Sequence, residues 1–254
     1  MQQVILQHVH TLAAERGVRI LYACETGSRG WGFASPDSDY DVRFVFVHPL
    51  HRYLSIQEPQ SDINTFLDAD GEVLDLNGWD LRKFLRLLAR SNATPFEWLQ
   101  SPIVYEQEAG FRETLWALAP GYFQPRAGVH HYLGICHNSI KTGIADGHIG
   151  IKKYFYILRP LLAAIWAADR QSVPPMEFRP LLQQIEHRRP LMEAIQALWA
   201  EKEKAAEARV IPLIPVIQEF VEQEMERCRD VAATLSGKNA DIQALDDFFQ
   251  QHCT

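Results

Sequence analysis

The chain has 254 residues, 47% hydrophobic and 22% charged, with a formal net charge of -7, which is enough for one large core or two modest ones of an ordinary globular protein. No apolar run approaches the roughly 20 residues that a membrane-spanning helix needs and the N-terminus lacks a signal-peptide layout, so no membrane association and a cytoplasmic location are expected. The acidity argues against a surface that is all nucleic-acid footprint, and four scattered cysteines without a CxxC pair exclude a zinc knuckle and a dense disulfide framework.

Val4, Ile5, Val9, Leu12 and Ala13 recur at helical spacing over residues 4–16 and Gly17 suits a C-terminal cap, so the chain is predicted to start with a helix. VRILYAC (18–24) reads as a buried strand, GSRGWGFASPDS as a turn-rich loop with room for a short helix, and DYDVRFVFV (39–47) as a second strand. PLHRYLSI fits another short helix. A hairpin follows, its arms INTFLDA and EVLDLNG joined at Asp70-Gly71, a dipeptide that adopts the positive backbone angles of tight turns. Asp80 then caps an amphipathic helix with Leu81, Phe84, Leu85 and Leu88 along one side. TPFEWLQ adds a helical turn or two, and SPIVY (101–105) is a last strand or an extended connection. Beyond about residue 110 strand signals stop: residues 126–146, 151–169, 176–187, 191–208, 215–235 and 241–250 all read as helices. The expected fold class is therefore α+β, a mixed sheet with flanking helices over residues 1–120 followed by an all-helical domain over 121–254.

Charge is distributed unevenly. Residues 1–80 carry 12 acids and 5 bases, whereas residues 121–165 carry Arg126, Lys141, Lys152, Lys153 and Arg159 against the single acid Asp146. A metal-triphosphate site suits that asymmetry, although solvated helix faces give the same pattern. Along a strand, alternation puts Asp39 and Asp41 on one face, where two carboxylates repel unless a cation sits between them. Hard divalent ions take such oxygens together with substrate phosphates. Upstream, Gly27-Ser28 follows a buried strand at the start of a loop, where glycine permits close approach and backbone N–H groups with a hydroxyl can hold phosphate oxygens. Ten residues, Arg29–Ser38, separate the two motifs.

A strand, Gly-Ser, ten residues and Asp-Tyr-Asp-Val together resemble the signature of the polymerase-beta nucleotidyltransferase superfamily. More closely, GSRGWGFASPDSDYDVRFVFV, LDLNGWDLRKFLRLLARSN, FEWLQSPIVY and KKYFYILRPLLAAIWA, in that order over about residues 18–170, resemble the bacterial YcgL-type predicted nucleotidyltransferases, a family linked to RNA repair. Gly30-Trp31 stands where that pattern has Ala-Tyr, and Ala93-Thr94 where it has a proline soon after the Asn; neither touches the carboxylates. The resemblance implies transfer of NMP from an NTP to an acceptor hydroxyl, an RNA end in that family, with release of pyrophosphate and with Mg2+ or Mn2+ as cofactor. It also implies a third carboxylate on a neighbouring strand. Asp75, flanked by Leu74 and Leu76, fits that role; Glu72, close to the hairpin turn, and Asp80, better explained as a helix cap, are competitors. The expected catalytic and metal-binding set is thus Asp39, Asp41 and Asp75. Gly27 and Ser28 are the expected phosphate cradle, and Lys152, Tyr156 and Arg159, on one helix face, suit a triphosphate and a base unless they are an ordinary amphipathic surface. The net charge favours a second reading, an enzyme that nucleotidylates a small molecule or a protein, and a further reading is a non-catalytic nucleotide-binding regulator, against which the three candidate acids argue.

Overall fold

In the computed structural model, which describes residues 1–36, 38–69, 71–202, 209–237 and 240–253, the first helix is α1 (Gln2–Arg16). It stops where expected: Gly17 takes φ 62°, and its N–H turns back to the carbonyls of Ala13 and Ala14. There follow β1 (Arg19–Glu25), the single turn α2 (Gly27–Gly30), β2 (Tyr40–Val47), α3 (Leu50–Tyr53), β3 (Asp62–Ala69), β4 (Glu72–Asp80), α4 (Leu81–Ala89), α5 (Ala93–Gln100), β5 (Val104–Gln107) and α6 (Phe111–Leu118). The strands form one sheet in the order β3-β4-β2-β1-β5. β2 and β4 run parallel; the other neighbours are antiparallel.

Two faces follow from the strand alternation. On one, Val42, Phe44 and Phe46 of β2 and Leu74 and Leu76 of β4 pack with Ile5, Val9 and Ala13 of α1 into a dry core. Gly78 belongs to this face because it stands opposite Phe44, and a Cβ there would come within 2.0 Å of the Phe44 ring. On the other face, helices of the same unit pack against one end. Trp79 stacks on Trp98 of α5 at 4.4 Å, Tyr22 donates its hydroxyl to the Trp98 carbonyl at 2.7 Å, and Phe111 of α6 stacks on Tyr22 at 6.0 Å. Asp80 is buried and caps α4 by accepting from the Arg82 N–H at 2.9 Å; the Tyr53 hydroxyl donates to the same carboxylate. This competitor for the third carboxylate is accordingly committed to the helix start.

Further along the chain come α7 (Pro125–Gly143), β6 (Ile144–Ala145), β7 (His148–Gly150), α8 (Ile151–Arg170), α9 (Phe178–Leu182), α10 (Arg189–Lys202), β8 (Val210–Pro212) and α11 (Pro215–Thr234). Helices dominate as expected, but β6, β7 and β8 form a small antiparallel sheet of their own, where the sequence showed no strand signal. The last helix is α12 (Gln243–His252).

The chain divides into two compact units, Met1–Gly30 with Asp39–Tyr122 and Asn239–Thr254, and Trp31–Ser38 with Phe123–Lys238. Relative to a division at residue 120, two segments change sides. The C-terminal helix α12 counts with the sheet unit, where Phe248 packs on Phe111 at 5.4 Å. The loop 31–38 counts with the helical unit, where Phe33 lies 5.0 Å from Phe155 and 5.5 Å from Phe178 and the Phe178 N–H bonds the Trp31 carbonyl at 2.9 Å. Asp70, the first turn residue of the expected hairpin, and residues 203–208, the end of the helix expected over 191–208, lie outside the described residues.

Candidate active site

Asp41 of β2 and Asp75 of β4 are directly paired across the two parallel strands, on the sheet face to which Trp79 of β4 also belongs. Pairing in register puts both carboxylates on the same face, one strand spacing of about 5 Å apart. Uncompensated, two such charges repel by on the order of 3 kcal/mol at an effective dielectric constant of about 20. Arg43 supplies the compensation. Two residues beyond Asp41 and therefore on the same face, its Nη2 donates to Asp41 Oδ1 at 3.1 Å and to Asp75 Oδ2 at 2.8 Å. Its Nη1 donates to the carbonyls of Val42 at 3.0 Å and Asp75 at 2.9 Å. All three side chains are between 18% and 24% exposed, so the cluster is open enough to admit a ligand and dry enough for its charges to matter.

The backbone of Asp41 is gripped from the end of β1. Thr26 donates its N–H and its hydroxyl to the Asp41 carbonyl at 2.8 and 3.0 Å. The Asp41 N–H donates to Glu25 Oε1 at 2.7 Å, the Tyr105 hydroxyl donates to Glu25 Oε2, and the Ser101 hydroxyl donates to the Glu25 carbonyl at 2.6 Å. Glu25 is fully buried, and that burial pushes its carboxyl up to about 7. Gly27 closes the arrangement. It has φ 56°, and a Cβ on it would fall 1.8 Å from Asp41 Oδ2, so only glycine lets this turn lie against the carboxylate. Ser28, next to it, is buried.

Asp39 is placed differently. It precedes the first residue of β2 and is exposed, and its carbonyl accepts from Arg29 Nε at 3.2 Å, while the Arg29 guanidinium lies 3.8 Å over the Tyr40 ring. The structure thus brings together Asp41, Asp75 and Gly27, and adds Arg43 and Glu25, which sequence reasoning missed. Among the described residues no three histidine, cysteine, aspartate or glutamate side chains form a ready-made metal cluster. The chemistry of the donors nevertheless fits a hard divalent ion: all are carboxylate oxygens, and the pair already holds a cationic group between them. Asp41 and Asp75 would hold such an ion, which would offset the same two charges that Arg43 offsets.

On the helical unit, Lys152 and Tyr156 of α8 are half-buried, and Tyr156 meets Trp31 edge-on at 5.2 Å. Arg159, expected to bind nucleotide with them, is 1% exposed. Its Nε and Nη2 donate to the Met176 carbonyl at 3.2 and 3.0 Å, and its guanidinium lies 5.0 Å from the Trp31 ring centre and 5.6 Å from that of Tyr132. The same helical periodicity that put three polar residues on one face hid the fact that α8 is buried almost all round.

The family described as the RNA repair pathway DNA polymerase beta family matches residues 1–251. A protein of Bacillus subtilis (strain 168), "Uncharacterized protein YcgL", is 37% identical over 242 residues, covering 95% of this chain and 92% of the relative. A crystal structure of a nucleotidyltransferase-like protein from Exiguobacterium sibiricum 255-15 aligns with 99% of this chain and 79% of that one, at 10% identity and a TM-score of 0.35. No helix among the described residues is long and apolar enough to cross a membrane.

Proposed function

The chain belongs to the RNA repair pathway DNA polymerase beta family, and from that premise we propose that it transfers NMP from an NTP to a ribose hydroxyl at an RNA end, with Mg2+ or Mn2+ as cofactor and release of pyrophosphate. The observation that carries the reading is the direct pairing of Asp41 with Asp75 beside a glycine that no other residue can replace without displacing Asp41. Asp41 and Asp75 are the residues to hold the metal, with Asp39, two residues before Asp41 and exposed, as the third carboxylate of the set, and the metal would supply polarisation of the phosphoryl oxygens and charge neutralisation of the leaving group. Asp75 orients the accepting hydroxyl and takes its proton as the oxygen bonds the α-phosphorus. The bond from that phosphorus to the pyrophosphate oxygen breaks on the opposite side. Glu25 and Thr26 keep Asp41 from drifting while charge moves, and Gly27 with Ser28 admits the phosphates closely. On the helical unit, Lys152 and Tyr156 remain candidates for nucleotide contact.

The net charge of -7 favours a second acceptor class, a hydroxyl on a small molecule or a protein. A labelled-NTP screen with Mg2+ against oligoribonucleotides, small-molecule and protein acceptors decides between them. Label should enter oligoribonucleotides, with binding that falls steeply as salt rises. Asp41→Asn and Asp75→Asn should each lower transfer by about 100-fold or more, the scale of losing one charge-stabilising group, with an unchanged circular dichroism spectrum. Wild-type turnover in either variant would overturn the reading.

A further inference from the structure

Phe66 of β3 is directly paired with Asp75, as Asp75 is with Asp41. Paired residues project from the same face of a sheet, so the phenyl ring, Asp75 and Asp41 form one row across three strands. The ring is 72% exposed. Its strand otherwise alternates as a half-covered edge strand should: Ile63 and Ala69 are buried, while Asn64 and Asp68, which flank Phe66 on its own face, are exposed. A phenylalanine where the alternation calls for a polar residue contributes no burial to the fold. Val73 stands opposite Asp68, diagonal to Phe66, and is itself 41% exposed, so the apolar surface continues past the ring beside the carboxylates.

We propose that Phe66 is the platform on which the terminal base of an acceptor oligoribonucleotide stacks. The inference rests on the transfer reaction proposed for Asp41 and Asp75 and assigns the acceptor's place in it. A hydroxyl seated at Asp75 has its own ribose and base beyond it, and the next strand, about 5 Å away, carries the ring. Charge selects the kind of occupant. Asp41, Asp68 and Asp75 share this face with Phe66, and Arg43 is engaged with Asp41 and Asp75, so the ground beside the ring disfavours an acidic peptide, whereas an uncharged base meets the ring without electrostatic cost. Base–aromatic stacking is tolerant of sequence, which suits an enzyme acting on ends.

The test uses an oligoribonucleotide with 2-aminopurine as its terminal base, titrated with Mg2+-containing wild type, Phe66→Tyr and Phe66→Ala. Stacking quenches 2-aminopurine fluorescence, and the signal is read without turnover. Wild type and Phe66→Tyr should quench it; Phe66→Ala should lose the quench, bind the oligonucleotide about tenfold more weakly and show a raised KM for the oligonucleotide with the KM for NTP unchanged. The exposed position makes the unfolding midpoint insensitive to either substitution. Equal quenching and affinity in wild type and Phe66→Ala overturn the proposal. A KM change confined to the NTP also overturns it, giving the ring to the incoming base, and so does a change of sedimentation in Phe66→Ala, giving it to a contact between copies. Absence of NMP transfer to oligoribonucleotides by wild type, with the quench intact, overturns the reaction and not the stacking site.

Discussion

At Glu25 a buried acid serves a backbone, and its protonation should be visible in folding. Its carboxyl moves from the ordinary 4.5 to about 7 because burial disfavours the charged form. The folded chain therefore binds this proton more tightly than the unfolded one. The associated stability is fully present below about pH 4.5, declines as pH rises toward 7 by at most about 1.4 kcal/mol per unit, and is constant above. In divalent-free buffer, the urea midpoint of wild type should fall between pH 5 and pH 8 by more than that of Glu25→Gln; parallel falls would show that another group dominates. Arg43 makes the complementary case. Arg43→Met leaves Asp41 and Asp75 facing each other without a counter-charge, so it should melt at a lower temperature in chelator and gain more from added Mg2+ than wild type does; an equal Mg2+-induced shift in a thermal melt refutes this. Neither residue was legible in the sequence, whereas Asp75 was picked out as a candidate from the sequence alone. Asp75 interrupts a run of apolar residues and so advertises a site, but Glu25 reaches the Asp41 N–H across 16 positions and Arg43 reaches Asp75 across 32, contacts that exist only once strand register is set.

Strands and helices long enough to show a period were readable, and shorter ones were not. α1 with its Gly17 cap, β1, β2, the β3–β4 hairpin and the Asp80-capped α4 follow from alternation, helical spacing and turn chemistry. β6 has two residues and β7 and β8 have three each, too few to alternate, and β8 meets β7 from some sixty residues away. α6 escaped because its buried residues, Phe111 and Leu115, give a single helical repeat. The parallel pair β2–β4 is the element on which the site depends, and its register is held by Gly78 under the Phe44 ring. Gly78→Ala should cost about 1–3 kcal/mol in overpacking, measured by denaturant unfolding; a neutral effect would mean that Phe44 has room to turn away.

For the molecule as a whole, chain order and packing disagree, which is why a single boundary near residue 120 misses two segments. Phe248 and Leu245 of α12 are buried in the sheet unit, more than a hundred residues after α6 ends. A chain truncated after Gly237 should therefore lose amide-exchange protection in α4 and α6 while α7 and α8 keep theirs; unchanged exchange in α4 and α6 would show that α12 is dispensable. The other displaced segment has a consequence for how such proteins diversify. Between Gly30 and Asp39 the chain counts with the helical unit, with Phe33 only 2% exposed there. No single crossover between two related genes can exchange one half cleanly, because the piece inherited with Gly27 and Asp39 would arrive without Phe155 and Phe178. Lineages of this chain should therefore pass down both halves as one heirloom, changing them by substitution and not by recombination.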